Sequence, residues 1–178
     1  MPRPYLETGF LEPAACARVR AAMDRGALEP AEILRGGTAL DVRVRRAAHV
    51  DVDAPTLAFV ESRLDARLAR LAAWFRHPLV AREGAGFLRY GPGGFYRPHR
   101  DRAFEPSWPE AARRRIAIVV FVTACSGGAL RLLHEDDERG DVEVRPVEGS
   151  LVAFAADTLH EVAPVESGTR DVVVDWFY

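Results

Sequence analysis

His99 and Asp101 stand one residue apart in the phrase PHRD, directly after the glycine-rich run YGPGGFY. On a β-strand, residues i and i+2 leave the backbone on the same side, so this imidazole and carboxylate are placed to share one metal ion. A third ligand must come from elsewhere, and His160 in DTLHEVAPV offers one. Two imidazoles and one carboxylate on one face of a metal, with the other positions open, form the facial triad of non-haem Fe(II) chemistry. An HxD tripeptide is weak evidence by itself, and its surroundings strengthen it. Arg170 opens the apolar run RDVVVDWFY, and a guanidinium buried among Val172, Val174 and Trp176 is costly unless an anion meets it. Its planar fork suits a carboxylate held by two parallel hydrogen bonds. Either a dicarboxylic cosubstrate or one of the chain's internal acids answers that need. His49, His77 and His134 have weaker claims: they fall in an alternating run, before Pro78, and at the start of HEDDERG, where surface or capping work is the expectation.

These residues need elements to position them. From about Gly84 onward the chain reads as short strand-like runs, GFLRY, IAIVVFV, ALRLL, VEVR, SLVAFA and RDVVVDWFY, separated by Gly, Pro and acidic turns. Such spacing without helical runs between predicts an antiparallel sandwich or barrel. Ahead of it, Cys16, Val19 and Met23 recur at helical spacing between Pro13 and Asp24, with Gly26 just beyond. After Asp53 and Pro55, the residues Leu57, Val60, Leu64, Leu68, Leu71 and Phe75 form one apolar stripe that predicts a helix ending before Pro78. Between these helices DVRVRRAAHVDVD (41–53) alternates as a half-buried strand does. The helices would brace one sheet. The longest loop, Arg102 to Arg114, carries Trp108 between Ser107 and Pro109 and is a candidate lid.

The phrases YGPGGFYRPHRD, SGGALRLL and RPVEGSLVAFAADTLHEVAPVESGTR, with the terminal Trp176, resemble the prolyl 4-hydroxylase-like branch of the Fe(II)/2-oxoglutarate-dependent dioxygenases across roughly residues 84–178. LEPAACARVRAAMD is similar, more loosely, to that family's opening helix. The resemblance implies a double-stranded β-helix, a jelly-roll sandwich (84–178) with bracing helices and a first strand before it (1–80), forming one domain. It implies that His99, Asp101 and His160 hold Fe(II), that Arg170 binds the far carboxylate of 2-oxoglutarate, that Tyr90 hydrogen-bonds near the cosubstrate, and that Trp176 walls its pocket. Val120, Leu130 and Val162 match its apolar lining. Where several relatives have a second tyrosine assisting the arginine, this chain offers Val122. Retention of Asp101, where halogenating relatives carry Gly or Ala, favours hydroxylation. The implied reaction consumes O2 and 2-oxoglutarate, releases succinate and CO2, and hydroxylates a C–H bond, with ascorbate as an accessory reductant.

Composition bounds the alternatives. All 24 basic residues are Arg against 26 acids, and the near balance leaves no basic field for nucleic acid. The absence of Lys excludes Schiff-base and P-loop lysine chemistry. HRD at 99–101 also opens a kinase catalytic loop, but neither Lys, Asn nor DFG accompanies it. GPGG at 91–94 leads into PHRD rather than a helix, and HEDDERGD lacks EF-hand spacing and reads as a hairpin tip. Two cysteines, Cys16 on an apolar stripe and Cys125 in a turn, make no disulfide framework. The opening MPRPYLETGF has neither a basic n-region nor an apolar h-region, and no apolar run approaches membrane length, so a cytoplasmic, non-membrane protein is expected. The substrate expected is an amino acid, a prolyl residue or a small natural product, with Arg97, Arg100, Arg102 and Trp108 as candidate contacts. A cupin-like metalloenzyme without 2-oxoglutarate is one rival, which Arg170 argues against. A non-catalytic jelly-roll module is the other, which the intact triad argues against.

Overall fold

Runs of β-branched and aromatic residues too short for helices dominate the second half of the chain, and the computed structural model pairs them into two facing antiparallel sheets. It describes residues 3–34, 38–103, 109–134 and 140–178. In chain order the elements are β1 (Tyr5–Glu7), α1 (Pro13–Arg25), β2 (Leu28–Pro30), β3 (Ile33–Leu34), β4 (Thr38–Ala39), β5 (Arg45–Arg46) and β6 (Ala48–Val50). There follow α2 (Ala54–Asp65), α3 (Leu68–Phe75), β7 (Gly86–Tyr90), β8 (Phe95–His99), α4 (Pro109–Arg113) and β9 (Ile116–Phe121). The last are β10 (Ser126–Gly127), β11 (Leu130–Leu132), β12 (Val142–Val144), β13 (Leu151–Ala155), β14 (His160–Val162), β15 (Val165–Ser167) and β16 (Arg170–Phe177). One sheet has the order β1-β13-β9-β16-β7-β6-β2 and the other β12-β11-β14-β8-β5. This is the jelly-roll architecture, with non-consecutive strands adjacent in both sheets. Of the candidate lid Arg102 to Arg114, residues 104–108 lie outside the described residues and Pro109–Arg113 form α4 instead of a loop, while residues 135–139 of the acidic run 134–141 also lie outside the described residues.

The period of two along β9 explains how the sheet serves two cores. Ile116, Ile118 and Val120 point into a cluster shared with Val19, Met23, Val60, Leu64 and Leu71 of the helices. Ala117, Val119 and Phe121 point into the second cluster, between the sheets, with Leu130, Leu132 and Val162 from the opposite side. Strand β16 divides in the same way. Val172, Val174 and Trp176 face the inter-sheet space, whereas Val173 and Phe177 pack against the helix-side core. On that helix side the strand also carries two buried acids. Asp171 receives two 2.7 Å hydrogen bonds from Arg89, which also reaches Asp24 of α1. Asp175 accepts from Arg82, which grips Glu61 and Asp65 of α2. The internal acids are thereby consumed in tying sheet to helices. A buried charge left unpaired costs several kcal/mol, so each of these partners is needed.

Two helical and strand expectations are corrected. The stripe from Leu57 to Phe75 is two helices, because the amide of Arg67 turns to the Leu64 carbonyl at 2.9 Å and closes a tighter turn. The Arg67 side chain leaves for β1, where it holds Glu7 in a fork at 2.8 and 3.0 Å. Asp53 caps α2 by accepting from the Thr56 amide at 2.8 Å, an interaction that stabilises by about 1 kcal/mol. The segment 41–53 is not one strand. β5 pairs with β8 in the five-stranded sheet, while β6 pairs with β7 in the seven-stranded one, so the chain crosses between sheets at Ala47. Among the described residues no helix is long and apolar enough to cross a membrane.

Candidate metal centre

His99 ends β8 and pairs in register with His160 at the start of β14. The two rings meet with centroids 4.1 Å apart. Asp101 lies in a bend just past β8 rather than on the strand, and it is steered back by its neighbours. The amide of Arg102 donates to the Ala156 carbonyl at 2.8 Å, and Arg114 donates to the Asp101 carbonyl at 3.1 Å. The result is convergence. Asp101 Oδ1 is 3.6 Å from His99 Nε2, and Asp101 Oδ2 is 3.6 Å from His160 Nε2. One donor atom from each residue falls within 4.8 Å of the others.

The tautomers follow from hydrogen bonding. His99 Nδ1 lies 2.9 Å from the Arg97 carbonyl and His160 Nδ1 lies 2.9 Å from the Thr158 carbonyl. A carbonyl only accepts, so each Nδ1 carries a proton, and Nε2 is the nitrogen of each ring that can present a lone pair to the centre. Burial, reinforced by the neighbouring His99, pulls His160 down to about 4, so its ring is neutral at pH 7. Burial alone would raise the Asp101 carboxyl, but the positive charge that the two rings take up on protonation, with hydrogen bonds from the His99 and Trp176 side chains, overrules it and holds it below the ordinary carboxylate range. Two imidazoles and a carboxylate are the donor set that suits Fe(II) with positions left open. Around Asp101 stands a further layer that the sequence did not announce. Arg114 is 3 % exposed, donates to Glu83 at 2.7 Å, and lies 3.8 Å from the centre of the Trp176 ring.

The triad opens on a cavity of about 280 Å³. Leu130 and Val162 are register partners on its wall, and Tyr90 and Trp176 complete it. Val120, expected in this lining, faces the helices instead, because it shares the parity of Ile118 rather than Phe121 on β9. Val119 takes its place in the cavity wall. Arg170, 1 % exposed, is opposite Tyr90 on the adjacent strand, with its guanidinium carbon 4.9 Å from that ring and 5.2 Å from Phe121. Val122 is also on the helix side, so the residue facing Arg170 from β9 is Phe121. Arg170 Nε donates to the Gly128 carbonyl at 2.9 Å. Among the described residues no carboxylate pairs with it. Thr123 is no substitute, since its hydroxyl donates to the Thr169 carbonyl and accepts from the Asp171 amide. Burial lowers the proton affinity of Arg170, yet a guanidinium stays charged.

The candidate substrate contacts divide. Arg100 lines the cavity, and its Nη1 donates to the Asp157 carbonyl. Arg97 is exposed and rests over Phe95, 4.8 Å from the ring centre, and Arg102 donates to the Ala112 carbonyl, so neither lines this cavity. Trp108 lies outside the described residues. His77 is exposed as expected, whereas His49 reaches the cavity rim. Sequence reasoning missed Tyr96, Arg114, Glu83, Arg45 and Glu32, all of them in the lining. The stacking of Tyr96 on His99 at 3.5 Å had a signal, an aromatic three residues before the histidine on a short strand.

Comparison with known proteins agrees with this geometry. The family model described as the 2OG-Fe(II) oxygenase superfamily matches residues 85–178. A PKHD-type hydroxylase of Synechococcus elongatus is 36% identical over 93 residues, which is 51% of this chain and 40% of that protein. One from Shewanella oneidensis is 28% identical over 143 residues, 74% of this chain and 59% of its own. The chain thus spans less than two thirds of the length of these curated relatives. In fold it is similar to a Pseudomonas putida prolyl-4-hydroxylase, with a TM-score of 0.70 and 24% identity over 99% of this chain and 92% of that one. It is also similar to a prolyl hydroxylase from Trichoplax adhaerens solved with a hypoxia inducible factor peptide, with a TM-score of 0.80 and 16% identity over 98% and 83%. With the match extending over more than half of the sequence, the chain belongs to the 2OG-Fe(II) oxygenase superfamily.

Proposed function

We propose that this chain is an Fe(II)- and 2-oxoglutarate-dependent hydroxylase of a C–H bond in an amino acid, a prolyl residue or a related small molecule. The observation that carries the reading is Arg170. It is fully buried beside the triad's cavity with its terminal nitrogens unmatched by any carboxylate among the described residues, while the nearby acids Asp171 and Asp175 point to the other face of the sheet. Such a cation needs an anion from outside the chain. A dicarboxylate with one end on Arg170 and the other toward His99, Asp101 and His160 satisfies both. A cupin-like enzyme without 2-oxoglutarate, or a binding module, has no use for this arrangement.

The bound iron would supply the activation of O2, one oxygen atom going to the substrate and the other to succinate as CO2 leaves. The chain's residues do the rest. His99 and His160 are oriented by backbone carbonyls on Nδ1, which turns each Nε2 toward the centre, and Asp101 is kept ionised beside them. Phe154, edge-on to His160 at 4.8 Å, together with Leu130, Val162 and Val172, keeps water from the oxidising centre. Residues 1–80 brace and 84–178 carry the chemistry of one domain in this reading. Two unpaired cysteines, Cys16 and Cys125, suit a reducing cytoplasm.

The test is an anaerobic absorption titration with Fe(II) followed by 2-oxoglutarate. The wild type should develop the visible charge-transfer band of the chelate. His99→Ala should abolish it, and Arg170→Ala should demand far more 2-oxoglutarate. Metal binding without the band would point to the cosubstrate-independent enzyme, and no metal binding to the module.

A further inference from the structure

Among the arginines that line the cavity is one, Arg45, that the hydroxylase reading does not use. Arg45, on β5, is the register partner of Tyr96 on β8 and carries its guanidinium carbon 4.7 Å from the centre of that ring. Tyr96 stacks on the His99 ring at 3.5 Å and 18°. The order Arg45, Tyr96, His99 therefore places a fixed cation one aromatic ring away from the metal-ligating imidazole. Arg45 Nη1 donates to the Glu32 carbonyl at 2.8 Å, which anchors the fork. Its Nε is buried and has no hydrogen-bond partner among the described residues. Among the described residues no carboxylate pairs with Arg45. The side chain of Glu32, on the same wall, likewise has no ion pair among the described residues, although its own main chain holds Arg45. A buried donor without a partner is costly, and a bound anion removes that cost.

We propose that Arg45 and Glu32 form the substrate-recognition pair, and that the substrate is a free α-amino or imino acid. Its carboxylate lies on the Arg45 fork and its ammonium faces Glu32. The two side chains bring one positive and one negative group to the same cavity wall, the pattern a zwitterion complements. A prolyl residue within a peptide lacks both charges. The cosubstrate stays on Arg170, and Arg45 serves the molecule to be oxidised. This inference rests on the hydroxylase reading, and the experiment separates the two.

The Fe(II)·2-oxoglutarate complex, formed without O2, is titrated with each proteinogenic L-amino acid, with the corresponding amide, and with the same residue blocked at both ends. The expected result is that one or more free amino acids perturb the visible band while their amides and blocked forms do not. Arg45→Ala should raise the half-saturating concentration about tenfold or more, as loss of a charge-assisted bond does. Arg45→Lys, which keeps the charge, should lose less, and both variants should form the band at the wild-type 2-oxoglutarate concentration. Glu32→Gln should weaken the amino acid but not its des-amino carboxylate. Equal binding of amide or blocked residue, no response to any free amino acid, or wild-type affinity in Arg45→Ala overturns the proposal while leaving the hydroxylase intact. A wild-type protein that never forms the band overturns the hydroxylase reading itself.

Discussion

The Arg114 guanidinium lies 3.8 Å from the centre of the Trp176 ring while its Nη1 reaches the main-chain oxygen of Asp101 at 3.1 Å. One buried cation thus positions both the carboxylate ligand's backbone and the indole that bonds its side chain. Arg114→Leu leaves Glu83, whose side chain is 21% exposed, without its partner. The expected cost is about 3 kcal/mol in urea unfolding, together with roughly tenfold weaker Fe(II) binding. A change below about 1 kcal/mol, with metal affinity intact, would contradict this role.

Gly128 has a φ of +64°, and a Cβ there would sit 3.0 Å from Arg170 Cδ and 3.1 Å from Cys125 Sγ. Gly128→Ala therefore strains the backbone by about 1 kcal/mol and pushes on the arginine that the cosubstrate needs. Calorimetric titration should show 2-oxoglutarate affinity falling about tenfold, the size of one weakened charge-assisted bond, with Fe(II) affinity unchanged. Unaltered affinity for 2-oxoglutarate would count against Arg170 as its anchor.

Neighbouring valines on β9 should behave oppositely. Val120→Ala opens a void in the helix-side core and should cost about 2 kcal/mol of stability without altering cosubstrate binding. Val119→Phe should leave stability closer to wild type and obstruct 2-oxoglutarate, because Val119 is in the cavity wall. Reversed phenotypes would show that the faces are assigned wrongly.

The Glu7–Arg67 fork predicts an acid-side loss of stability. The hydrogen bond from Arg67 holds the Glu7 carboxyl below its ordinary value of 4.5, against the opposing effect of burial. The unfolded chain then binds more protons in that window, so the contribution is full above 4.5 and disappears as pH falls through the depressed folded value. Glu7→Gln should lose about 1 kcal/mol at pH 7 relative to wild type, and the gap should narrow in urea unfolding as pH drops below 4.5. A gap independent of pH would assign the effect to packing.

The ligand set and Arg170 were legible because each is a residue type with few other uses, at a spacing that strand geometry converts into proximity. The strands of the second half were legible for the same reason, since a run such as IAIVVF has nothing else to become. Parity was not read: Val120 and Val122 were placed by likeness to other chains, whereas the face of each residue is set by the pleat in the register that β13 and β16 impose on β9. The break between α2 and α3 had no Gly or Pro to mark it and arises from Arg67 reaching β1. Arg45, Glu32, Glu83 and Arg114 were invisible for a related reason. Their significance comes from contacts distant in sequence, and an arginine among 24 gives no local sign of which carboxylate it will meet.

The alternation along β9 makes that strand a text read in two frames at once. One frame, Ile116, Ile118 and Val120, keeps the helices attached, and the other, Ala117, Val119 and Phe121, shapes the space in which oxidation is proposed to occur. Exchanges of similar volume within either frame leave the other untouched. Inserting or deleting one residue would transpose the two messages, sending the brace toward the reaction and the pocket toward the helices. Sequences descending from this one can therefore drift in letters along β9, but hardly at all in its length.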